Sequence, residues 1–234
     1  MACLVLGLAA CATHDGSDLP ERARGDPPTV YTVERGDTLY SISWRYGLAY
    51  RQVAAWNNIG PPYTIYPGQK LRLKPPVEDS PAAPRQDNER AADRGKPDKA
   101  ASARGSKRAA SGYDWQWPAD GSVVSGYGTS DYGKKGISVG GEADGPVYAA
   151  AAGHVVYSGN GLRGYGNLVI VKHDDTYLTA YGYNAELLVR EGDNVERGAR
   201  IARMGKTPGG QVAVHFELRR DGQPVNPLHY LPIR

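Results

Sequence analysis

The chain has 234 residues, 40% hydrophobic and 23% charged, which suits two small globular units better than one large core. Its 30 Gly and 17 Pro point to many turns and to β structure, and a net charge of +3 is too weak to point to a nucleic-acid partner. Aromatic usage is skewed to 16 Tyr and 4 Trp against 1 Phe, rings that pair a flat apolar face with a polar edge and suit either small β cores or sugar-facing grooves.

Residues 1–11 form a short apolar run ending in Leu8-Ala9-Ala10-Cys11, too short to span a bilayer. Small residues before a cysteine at the end of such a run resemble the lipobox of bacterial lipoproteins. The resemblance implies cleavage before Cys11 and acylation of its thiol, hence a membrane attachment through lipid. Ala12, in place of an Asp that would resemble an inner-membrane retention signal, favours an outer-membrane lipoprotein facing the periplasm. Residues 12–28 are polar and read as a tether.

Residues 29–75 regain pattern. Val30-Tyr31-Thr32-Val33 reads as a strand, and Gly36-Asp37-Thr38 as a turn in which Asp37 or Thr38 caps a helix. Leu39, Ile42 and Tyr46 then share one helical face that ends near Gly47. A second helix is expected from about Tyr50 to Trp56, closed by Asn57-Asn58. Tyr66-Pro67-Gly68-Gln69 makes a turn before a strand at Lys70-Leu71-Arg72-Leu73. This strand-helix-helix-strand order, with Gly36-Asp37-Thr38-Leu39, Trp56-Asn57 and Pro67-Gly68-Gln69-Lys70-Leu71, resembles a LysM domain. The resemblance implies binding of N-acetylglucosamine-containing glycans, here peptidoglycan, in a shallow groove of Gly36, Asp37, Thr38, Leu39, Ile65, Tyr66 and Pro67.

Residues 76–111 hold no aromatic, Leu or Ile, cannot bury enough apolar area to offset ordering, and read as a disordered linker. A flexible coil of that length spans roughly 30–36 Å on average.

Residues 112–234 read as many short strands parted by glycines, with no long amphipathic helix: 147–150, 153–159, 167–173, 176–181, 201–205 and 215–220. The expected class is therefore α+β to mainly β, a small LysM-like module followed by an antiparallel β domain. Gly164-Tyr165-Gly166-Asn167, Glu191-Gly192-Asp193-Asn194-Val195 and His215-Phe216-Glu217-Leu218-Arg219-Arg220 resemble the LytM/lysostaphin-type zinc endopeptidases of the cell wall. That family holds zinc with a His-x-x-x-Asp pair and the first His of a His-x-His, leaving a position open for water. Here those three positions are Lys134, Ser138 and Ala213, and the Tyr-x-His position reads Tyr181-Gly182-Tyr183. His215 alone keeps its place. His14, His154, His173 and His229 lie in the tether, in strands distant from the groove and in the closing turn, and no metal or other cofactor is expected.

The order lipobox, LysM, linker and degenerate LytM domain resembles the NlpD-type lipoproteins of Gram-negative bacteria. The resemblance implies a non-catalytic protein that switches on a periplasmic N-acetylmuramoyl-L-alanine amidase during daughter-cell separation. The amidase would dock in a groove lined by Lys134, Ser138, Tyr181, Tyr183 and His215. Two other readings stand beside it, a passive wall-binding protein and an endopeptidase using unusual residues.

Overall fold

A computed structural model describes residues 27–76, 112–128 and 135–234. Cys11, nearly all of the linker and Lys134 lie outside the described residues. No helix among the described residues is long and apolar enough to cross a membrane.

The N-terminal module is β1 (Val30–Thr32), α1 (Leu39–Tyr46), α2 (Tyr50–Trp56) and β2 (Lys70–Arg72), with β1 and β2 antiparallel. Helix α1 starts where the sequence places it. Thr38 Oγ1 accepts from Ser41 N at 3.0 Å while Ser41 Oγ accepts from Thr38 N at 3.0 Å, a reciprocal capping box. It ends at Gly47 in the left-handed conformation (φ 67°), where the amides of Gly47 and Leu48 close on the last carbonyls. Leu39 and Ile42 from α1, Val53 and Ala54 from α2, and Val33, Leu71 and Leu73 from the strand ends form the module's own core.

The C-terminal domain is an antiparallel β structure with strands β3 (Val123–Ser125), β4 (Ile137–Gly140), β5 (Pro146–Tyr148), β6 (Gly153–Gly159), β7 (Asn167–Lys172), β8 (Tyr177–Leu187), β9 (Asn194–Val195), β10 (Arg200–Met204), β11 (Ala213–Arg220) and β12 (Gln223–Val225). Their order across the sheet is β3-β4-β11-β8-β7-β6-β9, with β12 on β11 and β10 joining β5 to the far half of β8. Alternation along the strands sorts the side chains. Val214, Phe216 and Leu218 of β11 join Tyr177 and Tyr181 of β8 and Val169 and Val171 of β7 in one core. The opposite face carries Leu168, Ile170, Leu178 and Ala180 in a second cluster.

That second face is covered by the N-terminal module. Trp44 and Tyr50 complete its apolar cluster, Tyr50 OH donates to Asp175 at 2.9 Å, and Gln223 Nε2 donates to the Gly47 carbonyl at 3.1 Å. Gly222 sits so close to Ala49 that a Cβ would fall 2.6 Å from its amide nitrogen. The sequence, which reads as two modules on a spacer, carries no sign that they touch.

Candidate functional site

In the N-terminal module the two expected glycan loops meet at one edge, because Gly68 N donates to the Val33 carbonyl and Val33 N to that of Gln69, both at 2.8 Å. Gly36 takes φ 85°, a value open to glycine at little cost, which turns the chain from β1 into α1. The Asp37 carboxylate is committed inside the module, accepting from Tyr31 OH at 2.6 Å and Glu34 N at 2.9 Å and pairing with Arg45 at 3.3 Å. Thr38 serves the capping box and Leu39 the core, and both are buried, which leaves Gly36 as the exposed position of this loop. Tyr66 is 68% exposed and Pro67 is exposed, while Ile65 packs against the core.

In the C-terminal domain register brings three of the expected groove positions together. His215 pairs with Ser138 across β4 and with Gly182 across β8, and the ring of Tyr183 lies 6.1 Å from that of His215. Tyr181 does not join them. It pairs with Phe216, packs on that ring at 5.4 Å, and is fully buried in the opposite core, its hydroxyl accepting from Ala150 N at 2.8 Å. Two residues apart in a regular strand, Tyr181 and Tyr183 would share a face. Tyr183 instead adopts φ 61°, a left-handed conformation rare for a bulky residue, and this turns it to the His215 side. There its amide donates to the Tyr165 carbonyl at 2.7 Å and its hydroxyl to that of Gly164 at 3.0 Å.

His215 stands on a buried polar row, His215, Glu217 and Arg219, that alternates with the apolar residues of β11. Glu217 Oε1 lies 3.1 Å from His215 Nε2 and accepts from Tyr165 OH at 2.8 Å, while Arg219 Nη2 donates to Oε2 at 3.2 Å. Burial pushes the Glu217 carboxyl up. The hydrogen bond from His215, the Arg219 guanidinium and the Tyr165 hydroxyl outweigh it and hold the group down at about 2. An ionised carboxylate only accepts, so Nε2 of His215 carries its proton toward Glu217. Gly136 packs directly on this pair, since a Cβ there would come within 2.7 Å of Glu217 and 3.0 Å of His215.

Ser138, Tyr183 and His215 are all nearly closed to solvent, at 7, 7 and 2% exposure. Among the described residues no three His, Cys, Asp or Glu side chains come together as a metal-holding group. His154 bonds to Asn194 at the far edge of the sheet, His173 lies between the Ala152 carbonyl and Thr179 Oγ1, and His229 is exposed on a short 3₁₀ turn. Sequence reasoning missed the parts played by Tyr165, Glu217, Arg219 and Trp44. The only signal available was two opposite charges alternating with apolar residues in one strand, which ordinarily marks a solvated face.

The fold and site define a two-module protein, a LysM domain joined to a peptidase-fold domain. Residues 31–74 match the LysM domain model and residues 132–227 that of Peptidase family M23. The chain belongs to the NlpD/LppB lipoprotein family. It is 43% identical to the "Lipoprotein NlpD/LppB homolog" of Pseudomonas aeruginosa, covering 97% of this chain and 89% of that one. It is 40% identical to the lipoprotein YgeR of Escherichia coli over 96% of this chain and 88% of the relative. It is also 34% identical to the "Murein hydrolase activator NlpD" of Escherichia coli over 88% of this chain and 68% of the relative.

Proposed function

We propose that this protein is a non-catalytic envelope lipoprotein, acylated at Cys11 in the outer membrane, that grips peptidoglycan through its LysM module. Its M23-fold domain activates a periplasmic N-acetylmuramoyl-L-alanine amidase by docking it in the groove of Lys134, Ser138, Tyr183 and His215. The observation that carries this reading is the surroundings of His215. Its Nε2 is spent on a buried carboxylate, and the strand position beside it is a serine. Zinc needs three protein ligands with one site left open. With Lys134, Ser138 and Ala213 at the ligand positions the donor set does not fit it. Kinship to a relative named a murein hydrolase activator supports the same conclusion.

Mechanistically the lipid and the LysM module raise the local concentration of the groove at the wall. An amidase is activated only if the groove binds its active conformation better than its resting one. Tyr183→Ala removes the aromatic anchor beside His215, and loss of such an anchor costs about 2 kcal/mol or more. We expect activation measured with sacculi present to fall about thirtyfold at limiting concentration, while sacculus pull-down stays at the wild-type level and Tyr183→Phe retains activation. Activation that survives Tyr183→Ala unchanged would place the docking surface elsewhere.

A further inference from the structure

The LysM module is packed on the same sheet face that carries His215. Trp44 and Tyr50 enter the cluster of Leu168, Ile170, Leu178 and Ala180 and take no part in the module's own core. Two large aromatic side chains turned outward from a small domain mark a docking face, and here its occupant is seated on it.

The contact reaches the groove through Tyr165. Trp44 Nε1 donates to the Tyr165 hydroxyl at 3.1 Å, and that hydroxyl donates to Glu217, the partner of His215. The Tyr165 ring lies 6.1 Å from the His215 ring, and its carbonyl is so close over Gly182 that a Cβ there would meet it at 3.2 Å. Tyr165 therefore covers the strand beside His215, and Trp44 fixes it from outside. Arg219 ties the same parts together. Its guanidinium stacks 3.6 Å from the Trp44 ring centre, donates to the Trp44 carbonyl at 2.9 Å and to Glu217 at 3.2 Å. Among the described residues the buried Arg219 Nε has no hydrogen-bond partner, a cost that water would relieve if the face opened. The docking face also adjoins the glycan loops. Tyr40 follows Leu39 and packs at a tilt on Tyr50 with ring centres 4.6 Å apart, and Tyr63, two residues before Ile65, packs edge-on against both rings.

We propose that the LysM module is a latch on the M23-fold domain: docked, Trp44 holds Tyr165 over His215 and keeps the partner groove closed, and undocked, it releases Tyr165 and opens the groove. The inference rests on the reading of that groove as an amidase-docking site. A wall glycan opens the latch to the extent that it binds the undocked module better, through the tyrosines that border both faces.

The test is the double variant Trp44→Ala, Tyr50→Ala in the lipid-free full chain, both positions lying outside the module's core, with circular dichroism as the check on its folding. One readout is carbethoxylation of His215 by diethyl pyrocarbonate, followed by peptide mass, with exposed His229 as internal reference. The other is stimulation of a periplasmic zinc amidase on a soluble muramoyl peptide, without sacculi. The latch predicts that His215 reacts about tenfold faster in the variant, as expected when the closed state is destabilised and local opening is favoured, and that the variant stimulates where the wild type does not. Protection of His215 equal to wild type, or wild-type stimulation as strong as the variant's, overturns it. Fast reaction of His215 with no amidase responding to either protein upholds the latch and sinks the amidase reading instead. Tyr165→Phe, which deletes the shared hydroxyl without touching the module, should raise His215 reactivity in the same direction and decides the matter if the double variant fails to fold.

Discussion

Glu217→Ala should cost the protein about 3–5 kcal/mol, because it strips the carboxylate from a buried guanidinium and leaves that charge uncompensated. For a domain of this size the loss reads as a fall in Tm of roughly 10–20 °C. Three donors converge on Glu217, those of His215, Tyr165 and Arg219, so the substitution also removes the acceptor that His215 and Tyr165 share. The pair Glu217→Leu, Arg219→Met is expected to recover the part due to the unpaired guanidinium, since a buried ion pair exchanged for apolar residues of similar volume is often neutral or stabilising, while His215 and Tyr165 lose Glu217 in both variants. Urea or thermal melts of the three lipid-free chains decide it. A double variant as unstable as the single would mean that the row contributes through shape rather than through paired charge.

Acid unfolding should proceed in two legs. Burial drives the His173 imidazole down to about 4, against a weaker pull upward from its bond to the Ala152 carbonyl. Below the ordinary histidine range the unfolded chain takes up a proton that the folded chain refuses. Stability is therefore full above about pH 6.5 and falls by up to about 3 kcal/mol as pH drops to about 4. Glu217 works lower on the scale. Its folded carboxyl is held at about 2, so its contribution is present above about pH 4.5 and is lost as pH falls from there toward 2. His173→Gln should flatten the upper leg and leave the lower one, read as Tm against pH. An upper leg that persists unchanged in the variant assigns the titration to another group.

The N-terminal module was nearly fully legible in the sequence because its signals are local. Leu39, Ile42 and Tyr46 share a helix face, Thr38 can reach its own helix, and Gly47 takes the conformation that stops it. Strand positions in the second half of the chain were legible for the same reason, though β8 runs on to Leu187, past the break at Gly182-Tyr183. That break is where alternation misleads. It assigns Tyr181 and Tyr183 to one face, whereas one positive φ sends Tyr181 into the core with Phe216 and Tyr183 to His215. Contacts between distant segments were not legible. Trp44 and Arg219 are 175 residues apart, and nothing at either position announces the other. Glu217 and Arg219 look like a solvated strand face until the module that covers them is placed. The expectation of no zinc site came from residue types in the sequence alone, while the bond of His215 to Glu217 required the fold.

The central claim is that the chain acts on the wall through another enzyme. Dye release from labelled sacculi tests it most directly, with the lipid-free chain alone, with a periplasmic amidase of the same organism alone, and with the two together. The account predicts release by the mixture well above the amidase's own level and none by the chain alone. Release by the chain alone, or a mixture no faster than the amidase, would contradict it.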